Sequence, residues 1–267
     1  MHELAFVFAG FAVGLIVGLT GVGGGSLMTP VLIFFFGVKP HLAIGTDLLF
    51  AAFTKMGGTV SMARQRLVPW RVVGQLCAGS IPAALVSLWA LQILGPASGT
   101  AQRIMTTTLG FALLLTAAAT LYKVVAFSRE RQAADHAKRV AGAEHATRPR
   151  HWSLPVLLGA VIGTMVTFTS VGAGAIGVTV LLLVYPLLPL PRVIGADIAY
   201  AVPLTLVAGL GHATLGSVDW PLLAQLLAGS LPGIWLGSRL VTRTPESLIR
   251  SALSVLLAWA GAKLIMI

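Results

Sequence analysis

One feature restricts this chain more than any other: it carries the same apolar pattern twice, 150 residues apart. Gly45-Thr46-Asp47 returns as Gly195-Ala196-Asp197. Gln75-Leu76, Gly79-Ser80 and Pro82 return as Gln225-Leu226, Gly229-Ser230 and Pro232, and Trp70 matches Trp220. A glycine cluster from Gly21 to Gly25 is echoed by Gly172 and Gly174. Duplicated, membrane-embedded half-units are a common plan of secondary transporters, so the repeat points to a mechanism as well as a fold.

The solvent follows from composition. Of 267 residues, 57% are hydrophobic and 10% are charged, with a mean hydropathy of +0.91. Soluble domains carry about 25% charged residues, so a globular core cannot absorb this much apolar surface and a lipid bilayer is the expected surrounding. The net charge of +10 does not indicate nucleic acid, because the basic residues gather at the ends of apolar runs, as membrane topology requires. Cys77 is the single cysteine, which excludes an intramolecular disulfide. Met1-His2-Glu3 lacks the positive n-region of a signal peptide, so the first apolar run is expected to be retained.

Apolar runs read against a span of about 20 residues predict an all-α polytopic membrane protein with ten helical segments. They lie near 4–20, 26–37, 42–63, 70–93 and 101–124, then 153–169, 174–189, 192–214, 219–241 and 246–266. Each half contributes five, giving a first repeat over 1–127, a basic linker over 128–152 and a second repeat over 153–267. The second segment of each half is short and directly follows a glycine cluster, which predicts broken or re-entrant hairpins with tips inside the membrane. Such tips must be surrounded by protein or water.

The linker holds Arg129, Arg131, Lys138, Arg139, Arg148 and Arg150 against Glu130, Asp135 and Glu144. His136, His145 and His151 lie in it or at its edge, without the spacing of a metal site, so neither a metal nor a cofactor is expected. Placing the linker in the cytoplasm also places Arg64, Arg66, Arg71, Lys123, Arg192, Arg239, Arg243 and Arg250 there. Lys39, Arg103 and Lys263 fall outside, and Lys55 falls within the membrane. This asymmetry follows the positive-inside rule and puts both termini outside a cell membrane, for which the bacterial inner membrane is the expectation. Five segments per half is an odd number, so the second copy enters inverted. Consistently, the basic loop from Arg64 to Arg71 is matched by Thr214 to Pro221, which has lost every arginine and carries Asp219.

Three sets of residues are candidates for chemistry. Gly23, Gly24, Gly25 and Ser26 open one helix, and Thr169, Ser170, Gly172 and Gly174 open its counterpart. Helix starts inside the membrane direct unsatisfied N–H groups and a positive dipole end at an anion; close helix packing by small residues is the alternative reading. The second set is charged. Asp47 and its partner Asp197 lie near helix starts and serve either proton coupling or helix capping. Lys55 lies about 12 Å along the helix from Asp47, near the bilayer centre, where a charge costs about 3 kcal/mol and is usually functional. Its counterpart is Thr205, so the fold does not demand the charge. Lys55 either attracts an anion, pairs with an aspartate or loses its proton in transport. The third set is Gln75 and Gln225, each seven residues before a mid-helix proline, together with His212, which titrates near neutrality when unperturbed. Bonded amides at kinks and a buried, hydrogen-bonded histidine are the structural alternatives. The residues of a Ser/His/Asp set or a His-Glu-x-x-His helix are not present in order, so an enzyme is not expected.

The run Gly18-Leu19-Thr20-Gly21-Val22-Gly23-Gly24-Gly25-Ser26, then Ala43-Ile44-Gly45-Thr46-Asp47-Leu48-Leu49, then Trp70 and Gly79-Ser80-Ile81-Pro82, resembles the TauE/SafE family of sulfite and organosulfur-anion exporters. Gly195-Ala196-Asp197, Val218-Asp219-Trp220 and Gly229-Ser230-Leu231-Pro232-Gly233 repeat the pattern, so the resemblance covers nearly the whole chain except the linker. It implies a bacterial inner-membrane permease for a small anion such as sulfite or a sulfonate, coupled to the proton gradient. The expected partners are that anion and the lipid bilayer, with a homo-oligomer left open and no nucleic acid. A passive anion channel is the alternative function, followed by a membrane-embedded enzyme or its structural partner.

Overall fold

A computed structural model describes residues 2–20, 25–137, 153–172, 174–185, 188–240 and 246–266. These form ten helices, with no strand among the described residues: α1 (His2–Thr20), α2 (Gly25–Phe36), α3 (Pro40–Arg64), α4 (Trp70–Leu94), α5 (Gly99–Ala137), α6 (Ser153–Thr169), α7 (Ala175–Val184), α8 (Leu190–Thr214), α9 (Trp220–Leu240) and α10 (Glu246–Ile265). The protein is all-α, as its apolar runs predict. Trp70–Leu94, Gly99–Leu121 and Leu190–Thr214 are long and apolar enough to cross a bilayer by themselves. Shorter apolar helices accompany them. Helices α2 and α7 have only 12 and 10 residues. At 1.5 Å per residue they reach about 18 and 15 Å, well short of a 30 Å hydrocarbon core.

Two differences from the sequence-based boundaries stand out. Helix α5 runs 39 residues to Ala137, so the first ten residues of the expected linker continue a helix; 138–152, with His145 and His151, lie outside the described residues. Helix α7 stops at Val184 rather than 189, where Tyr185 leaves helical geometry after its N–H bonds the Leu181 carbonyl at 2.8 Å.

The exterior is apolar. Trp89, Phe111, Val161, Leu183, Leu231 and Val255 are all more than half exposed, a surface that suits lipid and would drive association in water. The interior holds Ile44, Leu48, Leu76, Tyr200 and Leu204 in one cluster and Met28, Leu32, Phe50, Leu109 and Leu226 in another.

The 150-residue offset reappears as geometry. Helices α3 and α8 occupy 40–64 and 190–214. Each ends in a left-handed residue, Arg66 (φ 57°) or Gly216 (φ 67°). Each is closed by the same return bond, Leu67 N–H to the Met62 carbonyl at 3.0 Å and Ser217 N–H to the His212 carbonyl at 2.9 Å. Packing is reciprocal as well. Gly10 and Gly14 of α1 press on the backbone at Leu226 and Ser230 of α9, while Gly159 and Gly163 of α6 press on Leu76 and Ser80 of α4. Contacting residue numbers rise together in both pairs, so α1 runs with α9 and α6 with α4. The remaining pairs run oppositely. In α3 and α8, Gly45 meets His212 while Gly58 meets Ile198; in α5 and α10, Gly110 meets Ile265 while Gly261 meets Leu114.

These contacts leave no room for a methyl group. A Cβ at Gly229 would strike the Val7 carbonyl oxygen, whereas one at Gly74 meets nothing within 4 Å. Gly229→Ala is therefore expected to lower stability in detergent by about 1–3 kcal/mol through overpacking. Gly74→Ala, at an open position of α4, should leave the unfolding midpoint unchanged or slightly raised.

Candidate functional site

The site forms where α3 and α8 cross against the short helices. Asp47 is fully buried. The Thr29 hydroxyl of α2 donates a hydrogen bond to its Oδ2, and the Ser170 hydroxyl, from the break after α6, lies beside the same carboxyl. Asp47 Oδ1 has no hydrogen-bond partner among the described residues. Asp47 thus touches a short helix of its own half and the helix break of the other half.

That break has the geometry its glycines suggest. Ser170 (φ 58°), Gly172 (φ 130°) and Gly174 (φ 139°) all have positive φ, a region costly for side-chain-bearing residues and open to glycine. A side chain on Gly172 would also meet Met165 and Val166. The Thr169 hydroxyl reaches the carbonyls of Met165 at 2.6 Å and Val171 at 3.0 Å and accepts from the Val171 N–H at 3.1 Å. Thr169 therefore secures backbone groups that the helix end would leave unsatisfied. Chain continuity resumes with the Gly177 N–H bonding the Gly172 carbonyl at 3.0 Å. Gly23 and Gly24, at the corresponding break of the first half, lie outside the described residues. Gly25 and Ser26 form the first turn of α2.

Lys55 and Asp197 are also buried. Because α3 and α8 run oppositely, Asp197 near the start of α8 comes level with the later turns of α3, where Thr59 Oγ1 bonds the Ile198 carbonyl at 3.4 Å. Lys55 interacts electrostatically with Asp197 first and with Asp47 second. One ammonium is thus set between two carboxylates from different halves. Helix α7 closes over Asp197 at Gly177, where a Cβ would collide with Asp197 Oδ1 and fall 3.0 Å from the Tyr200 hydroxyl.

The other candidates lie in different surroundings. Gln75 Oε1 accepts a hydrogen bond from the Tyr185 hydroxyl at 3.0 Å, pinning the end of α7 to α4 seven residues before Pro82. Gln225 is half-buried at the equivalent place in α9, which contains Pro232. His212 is fully buried with Nε2 3.0 Å from the Thr167 carbonyl. It joins α8 to α6 and sits at the far end of α3 from Lys55, against Gly45. Among the described residues no group of three or more His, Cys, Asp or Glu side chains could hold a metal.

Sequence reasoning did not single out Gly177 or Tyr200. A signal existed: at the 150-residue offset they correspond to Leu27 and Phe50, so both are departures from the repeat.

This arrangement of short helices, backbone breaks and buried charges inside an apolar bundle is that of a multi-pass membrane transporter. Residues 6–264 match the family described as Sulfite exporter TauE/SafE. The chain belongs to that family. It is 31% identical over 272 residues to the "Probable membrane transporter protein YjnA" of Bacillus subtilis (strain 168), covering 98% of this chain and all of the relative. It is 29% identical to a "Probable membrane transporter protein" of Xylella fastidiosa (strain 9a5c), covering 90% of this chain and 85% of that one. No solved structure matches. The protein is a membrane transporter and not an enzyme.

The Thr29–Asp47 contact is testable by stability. Thr29→Val should cost about 1–3 kcal/mol, because it leaves a buried carboxyl without its donor. Adding Asp47→Leu should recover most of that loss in detergent unfolding, since both polar partners are then gone.

Proposed function

We propose that this transporter moves a small anion, sulfite or a related organosulfur anion, by alternating access with a co-transported proton. The observation that carries the reading is the burial of Lys55 between Asp47 and Asp197. With all three ionised the trio holds one net negative charge. A monoanion that takes Lys55 must displace Asp197 from it, and Asp197 then has to be neutralised. A proton on Asp197 does this, leaving the charge of the site unchanged on loading. Asp47 accepts a hydrogen bond from the Thr29 hydroxyl of α2 and lies beside Ser170 at the break after α6. When the anion leaves, the proton leaves Asp197 and the carboxylate returns to Lys55, so the empty carrier is not left with an uncompensated ammonium in the membrane. His212, tied to the α6 backbone, is given no share in this cycle.

The two halves, 1–127 and 153–267, are read as inverted copies. Reciprocal α1–α9 and α6–α4 packing, with α3 opposed to α8 and α5 to α10, supports an axis in the membrane plane. The linker 128–152 lies in the cytoplasm and both termini lie outside, in a bacterial inner membrane, as the distribution of lysine and arginine favours. A passive channel is the competing function. Burial of Lys55 and Asp197 favours an occluded carrier over an open pore.

Flux into reconstituted vesicles separates these readings. Radiolabelled sulfite should enter saturably and accumulate when the outside is acidic, whereas non-saturating flux without accumulation would establish a channel. Lys55→Met should reduce flux at least tenfold. Asp197→Asn should abolish gradient-driven accumulation while keeping exchange between labelled and unlabelled anion. Failure of sulfite, sulfate and short sulfonates to move at all would overturn the anion reading.

A further inference from the structure

Among the positions where the halves differ in chemistry, three lie around one carboxyl group. Lys55 stands where the second half has Thr205, Tyr200 where the first half has Phe50, and Gly177 where the first half has Leu27. All three surround Asp197. Lys55 approaches it from α3, Tyr200 is one turn further along α8, and Gly177 lies against both Asp197 and Tyr200 from α7. Tyr200 is fully buried, and its hydroxyl has no hydrogen-bond partner among the described residues. A buried phenol normally finds an acceptor. Phe50, in the equivalent position, is also fully buried, so packing by itself is served by the ring without the hydroxyl.

We infer that Tyr200 and Lys55, with the close approach of α7 at Gly177, form an oxyanion subsite, in which the Tyr200 O–H donates to a substrate oxygen while Lys55 carries the opposite charge. The inference rests on the transporter reading above and assigns the position of its substrate. The phenol supplies a directional donor that a point charge lacks. Gly177 keeps α7 close enough to wall the subsite from lipid, and a larger residue there would push α7 away from Asp197. The buried hydroxyl has no acceptor among the described residues, and an anion bearing oxygen would supply one. Tyr200 is thus a substrate-contacting residue that sets specificity, distinct from Asp47, whose hydrogen bonds go to Thr29.

The test is Tyr200→Phe, read in vesicles and in detergent. Removing an unpartnered hydroxyl should leave the unfolding midpoint of the purified protein unchanged. The KM for sulfite should rise about tenfold with Vmax within twofold, and the sulfite concentration that protects the detergent-purified protein against heat should rise by a similar factor. Phe50→Tyr, at the equivalent position of the other half, should change neither. A purely structural Tyr200 would lower the amount of active protein and leave KM alone, and that result overturns the subsite. The protection measurement reads binding even when the variant reorients slowly, and an unchanged protecting concentration overturns the subsite as well. If the wild-type protein moves none of the anions, the anion reading falls and the subsite with it. If the wild type is active and Tyr200→Phe keeps its KM, the subsite alone falls.

Discussion

The close crossing of α3 and α8 is the constraint on which the site depends, and it keeps one ammonium group compensated inside an apolar bundle. Lys55 sits deep in α3, and an unpaired charge at the centre of a bilayer costs about 3 kcal/mol even on lenient scales. Its own helix supplies one carboxylate eight residues away, on a similar face. The stronger compensation comes from Asp197 on α8. Bringing the two helices close enough requires small residues at the crossing. Gly45 lies against the Ser217 backbone, Gly209 against Leu49 and Gly195 against the Leu67 carbonyl. A side chain at any of these would separate α3 from α8 and weaken the electrostatic contact. Helix packing and charge compensation are therefore one constraint seen at two scales.

The short helices follow from the same economy. An α-helix that spans the bilayer satisfies its own backbone, so a site needing polar groups at mid-depth has to interrupt one. The interruption after α6 is tolerable because each exposed group has a local answer. Thr169 closes the end of α6, positive φ at Ser170, Gly172 and Gly174 turns the chain, and Gly177 N–H returns to Gly172. What remains after these local answers is the Ser170 hydroxyl, directed at Asp47. On the other side Thr29 performs the corresponding service from α2. Asp47 thus links α2 to the break after α6, which gives a buried carboxyl a structural task alongside any functional one.

Helix positions were legible in the sequence because hydrophobic runs, prolines and glycines act locally. Segments 70–93 and 153–169 reappear as helices to within a residue, and the short second segments reappear as α2 and α7. The extent of α5 was not legible. Its charged continuation past residue 127 has no apolar stripe to extend, and charge composition alone does not distinguish a helix from an irregular linker. Within the site, Asp47, Lys55 and Asp197 announce themselves by charge in an apolar setting. Whether Lys55 faces one aspartate or the other depends on the crossing of α3 and α8, which is a tertiary fact absent from either helix alone. Tyr200 and Gly177 belong to ordinary residue types in a membrane helix, and only comparison of the halves with each other brings them out. Gln75 was legible as polar, yet its bond to Tyr185 depends on where α7 ends.

The proposed inverted duplication would place a demand on its own residues. If each half adopts in turn the conformation of the other, shared residues have to work in both arrangements, while residues present in only one half distinguish the two states. Lys55, Tyr200 and Gly177 are of the second kind. In such an exchange the charge partner of Asp197 and the phenol beside it would have no equivalent at the repeat-related positions, where Lys55, Tyr200 and Gly177 are answered by Thr205, Phe50 and Leu27. The two facing states are then chemically unequal even if the helices are arranged with near symmetry. A ligand can shift an equilibrium between states only by its difference in affinity for them. In the proposed cycle the asymmetric trio would give a small anion such a difference.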